Sequence, residues 1–102
     1  MTKDFEEFIQ SDIPILFDFT AEWCEPCKKQ AVQLRKLVDV FDEDQLIVIQ
    51  IDIDKNHRLT KSLKVDQVPT LMLYQSGQML WRKTGGEWAD VLTRIIKEKV
   101  VL

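Results

Sequence analysis

Apolar residues along this chain come in two spacings, and the spacings alternate. Phe5, Phe8 and Ile9 share one stripe of a short helix over about residues 3–10, which Thr2 can cap. Ser11-Asp12 breaks it, and Ile13–Thr20 comes next as a strand, with Pro14 tolerable at its very start. Ile15, Leu16, Phe17 and Phe19 leave that strand no polar face, the pattern of a central strand covered on both sides. From about Cys24 to Phe41 the period changes to helical, with Ala31, Leu34, Leu37, Val38 and Phe41 at core spacing. Asp42-Glu43-Asp44 ends this helix and reads as its solvated tip.

Leu46–Ile53 is a second, nearly all-apolar strand. A helix between two such strands is a βαβ unit, so they are expected to lie parallel with a right-handed crossover. A short helix over about Asn56–Leu63 begins with His57, read as an exposed helix start rather than a ligand or base. Leu71–Tyr74 and Met79–Trp81 flank the tight turn Ser76-Gly77 and are therefore antiparallel. Gly85-Gly86 leads into a last helix, where Trp88, Val91, Leu92, Ile95, Ile96 and Val100 repeat at helical period. The order is αβαβαββα. Its economical packing is an α/β domain with a four-stranded mixed sheet between helices and Ile13–Thr20 central. The segment after Thr20 then lies at the carboxyl end of that strand, where open α/β sheets place their sites.

Composition narrows the function classes. The 102 residues suit one domain, 1–102, and are too few for two. Fourteen basic against 17 acidic side chains leave a net charge of −3 with no basic run, which argues against nucleic acid and anionic membrane as main partners. The N-terminus is acidic and amphipathic, unlike a signal peptide, and no apolar stretch is long enough to span a bilayer. A reducing cytoplasm is the expected location.

The chemistry concentrates in Trp23-Cys24-Glu25-Pro26-Cys27-Lys28, which holds both cysteines of the chain. If the helix begins near Cys24, positions i and i+3 share a face and the sulfurs can meet across its first turn. The free N–H groups and positive dipole end of that turn stabilise a thiolate. Pro26 costs nothing there, because first-turn N–H groups have no intrahelical acceptor, and it stiffens the loop. Three plainer readings stay open. A structural disulfide would close too short a span to constrain the unfolded chain much. A zinc site wants about four ligands, and His57 is the one histidine. Two unrelated buried thiols are the third. With strand before and helix after, a reversible dithiol fits best.

Asp18 is an anomaly inside the central strand. An ionised carboxylate there is costly unless paired, so its pKa should be raised. A plain reading has it turning to water at the strand end; a functional one makes it a buried base.

Taken together, these residues resemble the thioredoxin family. WCxPCK comes after a strand ending in Asp18-Phe19-Thr20-Ala21-Glu22, Val68-Pro69-Thr70 stands before the hairpin, and Gly77 and Gly85 stand where that family keeps glycines. The resemblance covers nearly the whole chain. It implies a thioredoxin fold and a protein-disulfide reductase or dithiol electron carrier, with a redox-active Cys24–Cys27 disulfide and no bound cofactor or metal. It implies disulfide-containing client proteins and recharging by an NADPH-dependent thioredoxin reductase. Cys24, the more exposed sulfur, would attack a client disulfide; Cys27 would resolve the mixed disulfide, and Asp18 would take the Cys27 proton. Pro69 would be cis beside the sulfurs, the Val68 backbone would pair with the client, and Trp23 would shield the disulfide or simply pack. Lys28 and Lys29 could support the thiolate or orient acidic partners, or be ordinary solvated residues.

Four departures qualify the match. Glu25 replaces the usual glycine, and its charge should weakly oppose the Cys24 thiolate, making the pair more reducing; Glu25 and Pro26 are thus the tuning positions. Gln50 replaces a lysine that neighbours the buried Asp, so Asp18 should shift further upward. Val32 replaces a helix-kinking proline, so the helix should run straighter. The chain begins at the first helix, without the family's first strand, which would leave Leu46–Ile53 at an edge. A monomer with that edge shielded is expected, a homodimer through it the alternative. Two other functions compete: a specialised member serving one client or another reductant, and a non-catalytic binding or holdase module. Both cysteines, Asp18 and Val68-Pro69 are intact, which weighs against the second.

Overall fold

The computed structural model describes the backbone of residues 2–101 and the side chains of residues 4–101. In chain order it contains α1 (Thr2–Ile9), β1 (Ile15–Thr20), α2 (Glu25–Val38), β2 (Ile47–Asp52), α3 (His57–Ser62), β3 (Thr70–Gln75), β4 (Gln78–Thr84) and α4 (Ala89–Lys99). The expected order therefore stands. Capping of α1 by the Thr2 side chain lies outside the described residues.

The sheet order is β2-β1-β3-β4, with β1 parallel to β2 and the other neighbours antiparallel. Alternation along β1 explains why it is apolar on both faces. Ile15, Phe17 and Phe19 point to one side, where they meet Phe5 of α1, Leu59 of α3, and Met72 and Tyr74 of β3. Leu16 points to the other, into a cluster with Leu34 and Leu37 of α2 and Leu92 and Ile96 of α4. Rings of Phe5 and Phe17 lie 4.7 Å apart, and Phe17 meets Tyr74 edge-on at 5.7 Å. Helices thus cover both faces, and Asp18, one step beyond Phe17, is directed toward the α2 side.

The β3–β4 turn needs left-handed backbone at Ser76 (φ 51°) and Gly77 (φ 85°), the requirement of a tight two-residue hairpin. Ser76 N–H donates to Ser11 O at 2.8 Å and Gly77 N–H to Ile9 O, tying the hairpin to the end of α1.

Three expected core residues lie outside. Phe8 is 47% exposed, because a helix this short rests on the sheet along a narrow stripe that Phe5 and Ile9 already fill. Val38 is 59% exposed, since α2 stops there instead of reaching Phe41 and the stripe through Leu34 and Leu37 takes the contact. Trp88 is 66% exposed, because it stands in extended backbone as the cap residue before α4 and does not share that helix's face. β2 is an edge strand, as expected, with Ile47, Val48 and Ile49 half-buried and Gln50 exposed.

Candidate active site

The carboxyl ends of the parallel strands β1 and β2 lie together, and α2 starts from that end. Cys24 is the cap residue of α2, in extended backbone with φ −95° and ψ 108°. Its sulfur accepts a hydrogen bond from the Cys27 N–H at 3.1 Å, taking the place a serine or aspartate oxygen usually fills. The same N–H and the helix dipole favour negative charge on that sulfur when the pair is reduced. Cys24 and Cys27 are joined as a disulfide with Cα atoms 5.3 Å apart, which excludes two unrelated thiols. Pro26 sits in the first turn, where no acceptor is lost.

Both half-cystines are buried, at 4% and 2% exposure, so the expected contrast between an open and a hidden sulfur is nearly absent. The reason is the loop before β3, whose Val68 packs against Ala21, Cys24 and Cys27. The Val68 carbonyl oxygen lies 3.7 Å from Cys24 Sγ; a disulfide sulfur has no hydrogen to donate, so this is a contact only. The Val68-Pro69 peptide is cis, as the family resemblance implies, and Pro69 O accepts from Gly85 N–H at 2.8 Å. Trp23 is 67% exposed, and its indole N–H donates to Asp54 Oδ2 at 2.8 Å, which holds the ring toward the loop after β2.

Beneath lies Asp18, fully buried. It stands opposite Gln50 in the β1–β2 register, and Gln50 Nε2 donates to its Oδ2 at 3.2 Å, while Oδ1 has no hydrogen-bond partner among the described residues. Burial pushes the Asp18 carboxyl up to about 6, and the Gln50 hydrogen bond opposes that rise. The plain reading of an aspartate turned to water is thereby excluded. A surface cleft of about 300 Å³ is lined by Thr20, Cys27, Ala31 and Gln50, so it adjoins both Cys27 and the amide that donates to Asp18.

Comparison with known proteins decides the family. The Thioredoxin family model matches residues 1–98. The chain belongs to the thioredoxin family. It is 34% identical over 86 residues to "Thioredoxin 1" of Chlorobaculum tepidum, covering 83% of this chain and 84% of that protein. It is 33% identical over 96 residues to the "Bifunctional thioredoxin reductase/thioredoxin" of Mycobacterium leprae, covering 94% of this chain and 21% of that longer protein. The crystal structure of thioredoxin from Trypanosoma brucei brucei superposes with a TM-score of 0.86 at 26% identity, over 96% of this chain and 84% of that one. As a member of this family with its disulfide in place, the protein is a thiol-disulfide oxidoreductase, a dithiol carrier built on that disulfide.

The departures from the usual thioredoxin pattern now have geometry. α2 runs unbroken past Val32. Gln50 does occupy the neighbouring position of Asp18, as a neutral donor. Glu25 is exposed and ion-paired with Lys28 at 2.8 Å, and Lys28 holds its carboxyl below the usual range. Pairing offsets part of the field that Glu25 alone would place on Cys24. Glu25→Gly should still raise the reduction potential of the pair, because it removes an anion and releases Lys28 to favour the thiolate. The expected rise is small, on the order of 10 mV in a glutathione-buffered titration, and a fall would contradict it.

His57 is exposed at the start of α3, and no group of three or more potential metal ligands occurs among the described residues. The surroundings of Trp88 are not evident from the sequence pattern. Gln30, Gln33 and Glu87 fasten the loop before α4 to α2, and the available signal was a pair of glutamines in a helix that beyond its first turn is otherwise apolar and basic.

Proposed function

We propose that the protein carries two electrons from an NADPH-dependent thioredoxin reductase to disulfide-containing client proteins in the cytoplasm. The observation that carries this reading is the placement of Cys24 at the cap of α2, its sulfur accepting the Cys27 N–H. In the reduced form, the Cys24 thiolate attacks one sulfur of a client disulfide. The client S–S bond breaks, its departing thiolate takes a proton, and a Cys24–client mixed disulfide forms. Cys27 then gives its proton to Asp18, directly or through water in the adjoining cleft, and attacks Cys24 Sγ. The Cys24–Cys27 bond forms as the mixed disulfide breaks, and the second client sulfur leaves as a thiolate that takes up the proton held by Asp18 or one from water. Each cycle oxidises the protein dithiol and reduces one client disulfide. In this reading the Val68 backbone and Pro69 border the docked client chain, Trp23 flanks it, and Glu25 and Pro26 tune the pair. The fusion of a thioredoxin reductase to a thioredoxin in the M. leprae relative supports the reductase as electron source.

Insulin reduction coupled to NADPH through thioredoxin reductase tests it. Turnover at catalytic protein concentration is expected, and none with the reductase but turnover with dithiothreitol would indicate a different physiological reductant. We further propose that the chain acts as one domain and as a monomer, since half-burial of Ile47, Val48 and Ile49 leaves the β2 edge little apolar surface to pair. Sedimentation velocity at micromolar concentration should give a single species of about 12.0 kDa; a dimer would overturn this.

A further inference from the structure

An apolar groove starts at Pro26, between the two half-cystines, and runs between α2 and the loop before α4. Pro26, Val32, Gly86 and Trp88 supply its apolar surface, Lys29 and Gln33 its α2 wall, and it encloses about 460 Å³. Beyond Trp88 and Gln33 it continues toward Lys36 and Val40. Trp88, Val32 and Val40 are 66%, 43% and 52% exposed, so large apolar side chains face solvent side by side.

The loop carrying Trp88 is fastened, not loose. Gln30 is buried and spends both amide atoms on Glu87: Nε2 donates to its carbonyl at 3.0 Å and Oε1 accepts its N–H at 2.7 Å. Gln33 Oε1 accepts the Ala89 N–H at 2.9 Å. A Cβ at Gly86 would stand 2.8 Å from Gln30 Oε1, so a side chain there would push the Gln30 amide away from Glu87. The backbone on both sides of Trp88 is therefore held to α2 while the indole stays in water. An anchored, exposed tryptophan loses little entropy when something docks on it.

Charge selects the occupant. The acid at the groove, Glu87, is already neutralised by Lys83 at 2.7 Å. Lys29 and Lys36 lie two turns apart on the α2 wall, and neither forms a salt bridge among the described residues. Asp90, on the α4 side, has one carboxylate oxygen engaged by the Val91 N–H at 2.9 Å.

We propose that this groove binds an extended client segment that sets an aromatic or large aliphatic side chain on Trp88 and Val32 and a carboxylate at Lys29. It would do so beside the client cysteine that exchanges with Cys24. The inference rests on the client-reductase reading and adds a selectivity to it: apolar-acidic flanks are preferred, basic flanks disfavoured.

The test separates the two. The oxidised protein is titrated, by amide and indole NMR, with a cysteine-free decapeptide carrying phenylalanine followed by two glutamates, and with its lysine-for-glutamate counterpart. Shifts should centre on Trp88, Val32 and Lys29, with the acidic peptide binding about tenfold more tightly. Trp88→Ala should weaken the acidic peptide by about tenfold, and Lys29→Glu should abolish or invert the charge preference. Equal affinity for both peptides, shifts centred elsewhere, or peptide-free shifts that grow with protein concentration, meaning a second copy fills the groove, would each overturn the proposal. Because no sulfur chemistry is read here, failure of insulin reduction with groove binding intact would sink the client-reductase reading alone.

Discussion

Cys27→Ser should trap the protein on its clients. In the proposed cycle, once Cys24 has formed a mixed disulfide, release depends on the Cys27 thiol, whose Cα lies only 5.3 Å from that of Cys24. Such a neighbour acts at an effective concentration far above that of any thiol in solution, so its loss should slow turnover by about 10³-fold or more. The variant incubated with a disulfide client should show, on a non-reducing gel and by mass spectrometry, a 1:1 adduct that dithiothreitol dissolves. Cys24→Ser should form no adduct and show no turnover, since serine at the cap keeps the hydrogen bond from the Cys27 N–H but offers no nucleophile near neutral pH. An adduct through Cys27 in that variant, and none through Cys24 in the other, would reverse the two roles.

Asp18→Asn should stabilise the fold and slow the exchange. The Asp18 carboxyl is raised to about 6 by burial, from 3.8 in the unfolded chain. For an acid raised on folding, the native state holds the extra proton between these values, so stability falls as pH climbs through that window. Below about pH 4 both states are protonated and nothing is lost; above about pH 6 the full destabilisation, about 3 kcal/mol, is present. A neutral asparagine escapes it. Urea unfolding at pH 7 should show the variant more stable by about 2 kcal/mol, allowing for an imperfectly paired amide, and nearly equal to wild type at pH 4. Turnover at pH 7 should fall by about 10²-fold, the low end of what a positioned proton acceptor contributes, and its dependence on pH near 6 should disappear. Gln50→Lys supplies the complementary result. A cation in place of the amide that donates to Oδ2 should bring the Asp18 carboxyl down and shrink the stability gain of Asp18→Asn. Unchanged turnover across neutral pH in Asp18→Asn would remove Asp18 from the mechanism.

Much of the site was legible because its chemistry is local. Two sulfurs three positions apart at a helix start meet by backbone geometry alone, and a carboxylate in an all-apolar strand is anomalous wherever the strand lies. Element identity was equally legible, since Phe17 and Phe19 on one side of β1 and Leu16 on the other require cover on both faces. Less could be read where a residue's surroundings come from distant segments. Periodicity put Trp88 on a helix face, but contacts from Gln30 and Gln33 on α2 hold its backbone extended and leave the ring outside. Glu25 read as a bare charge beside Cys24, whereas in the structure it is paired with Lys28, which offsets part of that charge.

The sequence by itself determined the alternation of strand and helix, the central position of β1, the meeting of Cys24 with Cys27 and the misfit of Asp18. Each of these comes from spacing, burial period and the cost of an unpaired charge, which depend on neighbours along the chain. Only the tertiary structure decided that Val68 closes over the disulfide, that Gln50 is Asp18's one hydrogen-bond partner among the described residues, and that Trp88 lines a groove beginning at the active-site turn. These depend on which strands lie side by side and which loops arrive at the same end of the sheet, and that is settled by packing between segments up to 57 positions apart.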